Sequence, residues 1–121
     1  MNLAYWIIAA LLAVFYLYAG GKKAVQSQEQ LQPMMGWVDR VPMPLVRLIG
    51  VLELLGAAGL ILPPLSGIAP WLAIAAAIGL VLIQVGGIAL HLSRGEARLI
   101  GLNIALLAAA AATAWLGTTW L

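Results

Sequence analysis

The stretch of residues 45–62, LVRLIGVLELLGAAGLIL, decides the fold class of this chain. At about 1.5 Å of helix rise per residue, it is long enough to cross the roughly 30 Å hydrocarbon core of a bilayer. It carries one charge near its middle, Glu53, and it is followed by Pro63 and Pro64. Because proline cannot continue a helix and restricts the residue before it, we predict a transmembrane helix that ends at Leu62.

Three further apolar blocks, residues 2–20, 70–91 and 99–120, have the same character. Of the 121 residues, 64% are hydrophobic and 8% are charged, whereas an ordinary globular protein is about 25% charged. This composition excludes a soluble monomer. A signal peptide carries its positive charge before the apolar run, but Lys22 and Lys23 follow the first block. We therefore predict one all-α domain over residues 1–121, a polytopic membrane protein built as a four-transmembrane-helix bundle.

The basic residues are distributed unequally between the loops. All six lie in or beside the two loops that follow the first and third apolar blocks. The positive-inside rule then places these two loops in the cytoplasm and both termini on the outer side. The first loop, residues 22–44, is long for a bundle connection, and its apolar part at residues 33–38 contains turn formers. We expect this part to lie in the membrane interface or over the mouth of the bundle, the alternative being a plain connector.

Several classes of function are excluded or disfavoured by composition. The chain has no cysteine, which excludes disulfides, thiol redox exchange and thiolate metal sites. Its six basic residues form no patch with interleaved aromatics, so we predict no nucleic-acid partner. One histidine and four carboxylates supply neither a metal site nor a complete catalytic constellation. An enzyme is therefore less favoured than a binding protein.

Glu53 lies deep within a predicted membrane helix, whereas Arg47, near the start of the same helix, lies beside the first loop. An ionised carboxylate at this depth is costly, so an intramembrane glutamate is by default a functional-site hypothesis. Its neighbours on the same helical face are Gly50, Gly56 and Ala57, and small residues allow close helix packing. We predict that Glu53 lies inside the bundle, where it is protonated, paired or in contact with a wet cavity.

Other polar side chains fall at similar depth in the same leaflet. Gln84 and His91 share one helical face, Asn103 lies near the start of the fourth helix, and Tyr18 lies one turn before Lys22. The outer half offers only Thr113 and terminal hydroxyls. We predict a cavity with a polar wall toward the cytoplasm, and its candidate ligand-binding residues are Glu53, His91, Gln84, Tyr18, Lys22 and Asn103.

Each of these side chains also has a purely structural interpretation. His91 at a helix end is typical of an interfacial residue. Gln84 and Asn103 are able to form hydrogen bonds between helices that serve packing alone. Lys22 and Lys23 are most simply topology determinants whose amines reach the headgroups.

Small residues recur every fourth position along the fourth predicted helix, at Gly101, Ala105, Ala109, Thr113 and Gly117. Such a pattern packs helices closely, inside a bundle or between protomers. Asn103 lies about 200° around the helix from Gly101. If Asn103 faces the polar cluster, the stripe faces outward, which predicts a homodimer through Gly101, Ala105, Ala109 and Thr113.

The sequence resembles the DoxX-like family of small four-helix membrane proteins. Three features carry the resemblance: YAGGK at residues 18–22, GVLELLGAAGLILP at residues 50–63, and a third helix that ends near a histidine. By this resemblance, the family's glutamate, lysine and histidine correspond to Glu53, Lys22 and His91. The lack of cysteine separates the chain from disulfide-handling four-helix quinone enzymes.

The resemblance implies a multi-pass protein of the bacterial cytoplasmic (inner) membrane. Some relatives of the wider DoxX and DoxD group are subunits of membrane thiosulfate:quinone oxidoreductases, which suggests a quinone as the ligand and a redox partner subunit. The first hypothesis is therefore a protein that binds an apolar molecule, a quinone or a lipid-like compound, in the polar half of the bundle. The alternatives are a proton-coupled small-molecule exporter acting as a dimer, and a structural or assembly factor.

Overall fold

The computed structural model describes residues 3–31, 33, 35 and 41–120, without the side chains of residues 99 and 120. Four helices in this part are long and apolar enough to cross a membrane. The predicted fold class, an all-helical four-span membrane protein, is confirmed. The α-helices are α1 (Leu3–Val25), the short α2 (Gln28–Leu31), α3 (Met43–Ser66), α4 (Leu72–Ser93) and α5 (Gly101–Leu116), which continues as a 3-10 turn over Gly117–Trp120.

The four long helices close into a bundle in which α1 packs on α3, α3 on α4, α4 on α5, and α5 on α1. The end of α1 lies beside the first turns of α3, since Arg47 donates a hydrogen bond to the Lys23 carbonyl. The start of α1 lies beside the end of α3, where Tyr5 contacts Leu60. Both charged loops therefore emerge at one end, which we name the charged end. That this end faces the cytoplasm stays a prediction.

Helix α1 continues five residues beyond the predicted end at residue 20. The last carbonyls of a helix have no donor within the helix itself and need another partner. Arg47 on α3 supplies one: its guanidinium donates to the carbonyl of Lys23 at 2.9 Å and also to that of Gln26. A cation at this position also favours the negative end of the helix dipole. The extension places Lys23 on the helix rather than in a loop.

The predicted end of the second transmembrane helix at Leu62 is wrong, because α3 runs through Pro63 and Pro64 to Ser66. Pro64 has no N–H, so the Leu60 carbonyl lacks its usual helical donor. The hydroxyl of Tyr5 donates to that carbonyl at 2.5 Å, which replaces the missing hydrogen bond. The helix ends at Gly67, whose φ of 75° is the left-handed conformation that glycine adopts readily.

The half of the bundle away from the charged end is filled by apolar side chains from all four long helices. They form a single buried cluster that includes Tyr5, Leu12, Leu60, Leu80 and Ala110. Small residues allow the helices to approach closely here: a Cβ added to Gly59 would lie 2.8 Å from the Cβ of Ala76. This half is a packed core in which apolar contacts dominate.

The described part of the first loop folds back onto α3. Ser27 and Gln30 form a capping box at the start of α2, in which each side chain bonds the other residue's backbone N–H, at 2.9 and 3.2 Å. Leu31 is buried against Val46, with Met35 and Val41 beside them. Of the segment expected at the interface, residues 34 and 36–38 lie outside the described residues, so that expectation stays a prediction.

Candidate functional site

The site begins where α1 and α3 cross with their backbones in contact. A Cβ added to Gly50 would lie 2.7 Å from the Gly20 carbonyl oxygen and 2.8 Å from the Ala24 backbone nitrogen. A Cβ added to Gly20 would lie 2.8 Å from the Gly50 carbonyl oxygen. Neither position has room for a side chain. Lys23 packs against Gly50 and Glu53 against Gly20, so their side chains meet across the crossing.

The ammonium of Lys23 and the carboxylate of Glu53 form an ion pair with an Nζ to Oε1 distance of 2.7 Å. The side chains are 10% and 1% exposed, respectively. Glu53 lies inside the bundle on the small-residue face of its helix, as predicted, and of the alternatives left open for it the structure shows pairing with Lys23. Burying two charges costs several kcal/mol per ion unless they are well paired, and this short contact provides the pairing.

The structure corrects the interpretation of the two adjacent lysines. Lys23 does not extend toward the headgroups, because it is buried against Glu53. Lys22 lies over the ring of Tyr18, with 5.3 Å between its Nζ and the ring centroid, and Tyr18 is 55% exposed. A cation–π contact therefore joins Tyr18 and Lys22 on the outside of the bundle. Both residues belong to the YAGGK segment that is similar to the DoxX-like family.

A chain of hydrogen bonds crosses the bundle at the level of Glu53. The amide nitrogen of Asn103 on α5 donates to the Gln84 oxygen at 2.8 Å. The amide nitrogen of Gln84 on α4 donates to the Tyr16 hydroxyl on α1 at 2.7 Å. Gly87 makes this approach possible, because a Cβ there would lie 2.9 Å from the Asn103 amide nitrogen. The chain links three helices through side chains alone.

His91 has a carboxylate partner from the loop between α4 and α5. Its Nδ1 lies 2.9 Å from Oε1 of Glu96, which also accepts a hydrogen bond from Arg94 at 3.0 Å. Gly95, with a φ of 72°, turns the chain so that Glu96 reaches back. The hydrogen bonds from His91 and then Arg94 lower the pKa of Glu96, so this carboxylate stays ionised and orients the imidazole.

These groups surround a cavity of about 360 Å³ between α3 and α4, near the charged end. Its polar wall comes from four elements of the bundle and its remaining wall is apolar. The lining polar side chains are Lys23, Glu53, Gln84, His91 and Asn103, and the lining apolar residues include Val41, Leu45, Ile49, Ile83, Gly86 and Leu90. A cavity with polar groups therefore lies at the charged end of the bundle, and that its polar wall faces the cytoplasm stays a prediction.

Four of the six sequence-predicted site residues line this cavity, Glu53, Gln84, His91 and Asn103, and Tyr18 and Lys22 do not. The sequence interpretation missed three residues. Lys23 lines the cavity, Tyr16 accepts a hydrogen bond from Gln84, and Glu96 pairs with His91. One signal was available. If α1 continues past Gly20, then Tyr16, Gly20 and Lys23 share one helical face through spacings of four and three residues, whereas Tyr18 and Lys22 fall on another.

The small-residue stripe of α5 does not stay on one face. A four-residue repeat advances about 400° along an α-helix, so each step drifts by about 40°. Gly101 and Ala105 are exposed, Ala109 is intermediate, and Thr113 is fully buried, with its hydroxyl bonded to the Ala109 carbonyl. An outward stripe along the whole helix is therefore wrong. The homodimer stays a prediction, and its outward part is confined to Gly101 and Ala105.

Comparison with known protein families matches residues 7–113 to the DoxX-like family. The chain belongs to the DoxX-like family. The matched region extends from α1 to the buried Thr113 of α5 and contains every cavity-lining side chain. Comparisons with curated proteins and with solved structures give no match.

Proposed function

We propose that this DoxX-like membrane protein binds an apolar small molecule with oxygen atoms at one end, most concretely a quinone headgroup, in the cavity between α3 and α4. The observation that carries the proposal is the division of the cavity into an apolar wall and a polar wall. Small-molecule sites have volumes of about 300–1,000 Å³, with mostly apolar lining and a few polar groups that fix orientation. The cavity of about 360 Å³ falls at the lower end of that range.

The charge balance of the cavity favours a neutral ligand. Its acidic side chain, Glu53, is paired with the ammonium of Lys23, so the pair adds no net charge. A charged ligand would have to replace one partner of this buried ion pair, which leaves an uncompensated charge. A quinone is neutral, and its carbonyl oxygens need only hydrogen-bond donors.

The imidazole of His91 is oriented for such a ligand. Because Nδ1 faces Glu96 at 2.9 Å, Nε2 is the nitrogen left for a molecule in the cavity. A neutral imidazole that donates from Nδ1 to the carboxylate presents Nε2 as an acceptor, suited to a quinol hydroxyl. An imidazolium presents Nε2 as a donor, suited to a quinone carbonyl. In this proposal, electrons are supplied by a partner subunit, and this chain holds the ligand and its protons.

The test is binding of a tailless ubiquinone headgroup to the purified protein in lipid nanodiscs, with thermal shift and titration as readouts. We expect wild-type protein to bind, and Gln84→Leu and His91→Leu to weaken binding by up to about tenfold each, the equivalent of one hydrogen bond. Tyr18→Phe and Lys22→Gln are matched controls outside the cavity and should bind like wild type. No headgroup binding, together with no quinone in an organic extract of the protein, contradicts the proposal.

The same preparation separates the two alternatives. An exporter that couples to protons at Glu53 predicts proton release when substrate is added to proteoliposomes, and loss of that release in Glu53→Gln. An assembly factor predicts that Glu53→Gln changes stability while every binding readout stays absent. Headgroup binding that depends on Gln84 and His91 supports the ligand site and argues against both.

A further inference from the structure

A second hollow lies next to the cavity along the same seam between α3 and α4. This hollow has a volume of about 630 Å³ and every residue that lines it is apolar. We name it the seam groove; its walls include Gly56, Gly59 and Pro63 from α3, and Leu72, Ala76 and Gly79 from α4. The polar cavity therefore has hydrogen-bonding side chains in its wall, and the seam groove has none.

The two hollows share part of their walls. Leu82 and Ile83 of α4 line both of them. The polar cavity begins at Leu45, and the seam groove reaches Pro63 on the same helix. At about 1.5 Å per residue, this distance along α3 is about 27 Å, close to the thickness of the hydrocarbon core. The two hollows therefore lie end to end along the seam, with hydrogen-bonding side chains at the charged end and only apolar residues beyond them.

The seam groove is open toward lipid and closed toward the bundle core. Its floor is tight, because a Cβ added to Gly56 would lie 2.8 Å from a methyl of Leu80. Its rim leucines, Leu55 and Leu82, are 62% and 65% exposed. A Cβ added to Gly79 would meet nothing within 4 Å. A flexible chain can therefore enter sideways from the bilayer and lie along the seam.

We propose that the seam groove holds the hydrocarbon tail of the same ligand whose oxygenated head occupies the polar cavity. The ligand is then a membrane lipid with a single neutral head and one long isoprenoid or alkyl tail. This inference rests on the proposed function, and it adds the class of ligand. Two hollows in line, one with hydrogen-bonding groups and one without, match the two parts of such a molecule. Because lipid tails are as apolar as leucine, moving a tail from the bilayer into the groove gains little free energy from apolar burial. Its role is then to place the head in the polar cavity.

Three glycines allow a clean test, because a Cβ added to Gly21, Gly79 or Gly86 meets nothing within 4 Å. Gly86 lines the polar cavity, Gly79 lines the seam groove, and Gly21 on α1 lines neither. Leucine at each position fills the space beside it without displacing the backbone, and it also raises helix propensity. Gly21→Leu is therefore the matched control for Gly79→Leu and Gly86→Leu.

Three probes share the ubiquinone headgroup: one has no tail, one has a long isoprenoid tail, and one has a saturated decyl tail. Each is titrated in nanodiscs, and its concentration is expressed as the molar ratio of probe to lipid. We expect Gly79→Leu to weaken binding of the tailed probes by about tenfold, the equivalent of 1.4 kcal/mol, and to leave the tailless probe unchanged. Gly86→Leu should weaken all three probes, and Gly21→Leu none. If Gly79→Leu weakens binding of the isoprenoid probe but not of the decyl probe, the groove binds an isoprenoid tail. If binding of both probes weakens equally, the groove accepts either tail.

The two proposals fail in different ways. If Gly86→Leu weakens all probes and Gly79→Leu weakens none, the seam groove does not hold the tail, although the polar cavity does hold the head. If Gly86→Leu weakens no probe, the proposed function itself is wrong, whatever Gly79→Leu does. If Gly79→Leu instead lowers the oligomeric mass and leaves binding intact, the groove is an interface between copies, and the tail proposal is overturned.

Discussion

The two halves of the bundle are built on different principles. In the half away from the charged end, Tyr5, Leu12, Leu60 and Leu80 form a buried apolar cluster, and the hydroxyl of Tyr5 donates to the Leu60 carbonyl in place of the N–H that Pro64 lacks. In the half at the charged end, an ion pair and two hydrogen-bonded chains surround a cavity. Buried ion pairs are seldom more stabilising than apolar packing. The first half stabilises the fold, and the contrast supports our proposal that the second half binds the oxygenated head of a ligand.

The largest expected effect comes from breaking the ion pair at Lys23. Lys23→Gln leaves Glu53 buried without its cation, and we expect a loss of about 3 kcal/mol in the free energy of unfolding. Lys22→Gln, one residue away, should cost less than about 1 kcal/mol, because Lys22 contacts only the exposed side of the bundle in its cation–π pair. Unfolding in mixed detergent micelles measures both variants.

The double variant Lys23→Met with Glu53→Leu sharpens this result. Because both charges are removed together, stability should return to about the wild-type value or exceed it, while binding of the headgroup is lost. Equal losses for Lys22→Gln and Lys23→Gln would contradict the buried ion pair between Lys23 and Glu53.

The next effect comes from the crossing of α1 and α3 at Gly50. Gly50→Ala places a methyl group 2.7 Å from the Gly20 carbonyl oxygen, and we expect a loss of about 1–3 kcal/mol from overpacking. Gly21→Ala, on the same pair of helices but in open space, should be neutral or stabilise by up to about 1 kcal/mol. The same micelle unfolding assay compares them, and a neutral Gly50→Ala would contradict the close crossing.

A smaller effect separates the two buried tyrosines of α1. Tyr5→Phe leaves the Leu60 carbonyl without its donor, and we expect a loss of about 1–2 kcal/mol in stability with headgroup binding unchanged. Tyr16→Phe keeps the ring but removes the acceptor for Gln84, so it should weaken binding. Pro64→Ala restores a backbone N–H for the Leu60 carbonyl. When Tyr5→Phe is added to this variant, it should therefore lower the free energy of unfolding by less than it does in the wild type. An unchanged cost in that background would show that Tyr5 does not compensate for Pro64.

The smallest effect is the pH dependence set by Glu96. Its pKa lies below the ordinary value of 4.5, because His91 and Arg94 hydrogen-bond to the carboxylate. A group whose pKa is lowered by folding contributes stability above its ordinary pKa, and this contribution is lost as pH falls through the folded value. We expect the wild-type melting temperature to fall slightly more than that of Glu96→Gln between roughly pH 6 and pH 3. Identical slopes would show that Glu96 is not held by these partners.

The sequence was sufficient for the four spans and for the burial of Glu53, because apolar length and the small face of Gly50, Gly56 and Ala57 depend on one helix at a time. Which of Lys22 and Lys23 reaches Glu53 depends on how α1 and α3 cross, because adjacent residues lie about 100° apart around a helix. The run through Pro63 and Pro64 depends on Tyr5, far away in sequence. Contacts of this kind belong to the assembled bundle, so patterns within one segment do not predict them.

Mapping the attachment site of a photoactivatable azidoquinone by peptide mass spectrometry tests the central claim most directly, because it asks which half of the bundle holds the head of the ligand. The protein is labelled in nanodiscs, with excess unlabelled quinone as competitor. We expect competed labelling on the cavity walls at residues 45–53 and 82–91, and its loss in Gly86→Leu but not in Gly21→Leu. Labelling confined to the packed half around Tyr5 and Leu60, or labelling that the competitor does not reduce, would contradict the account.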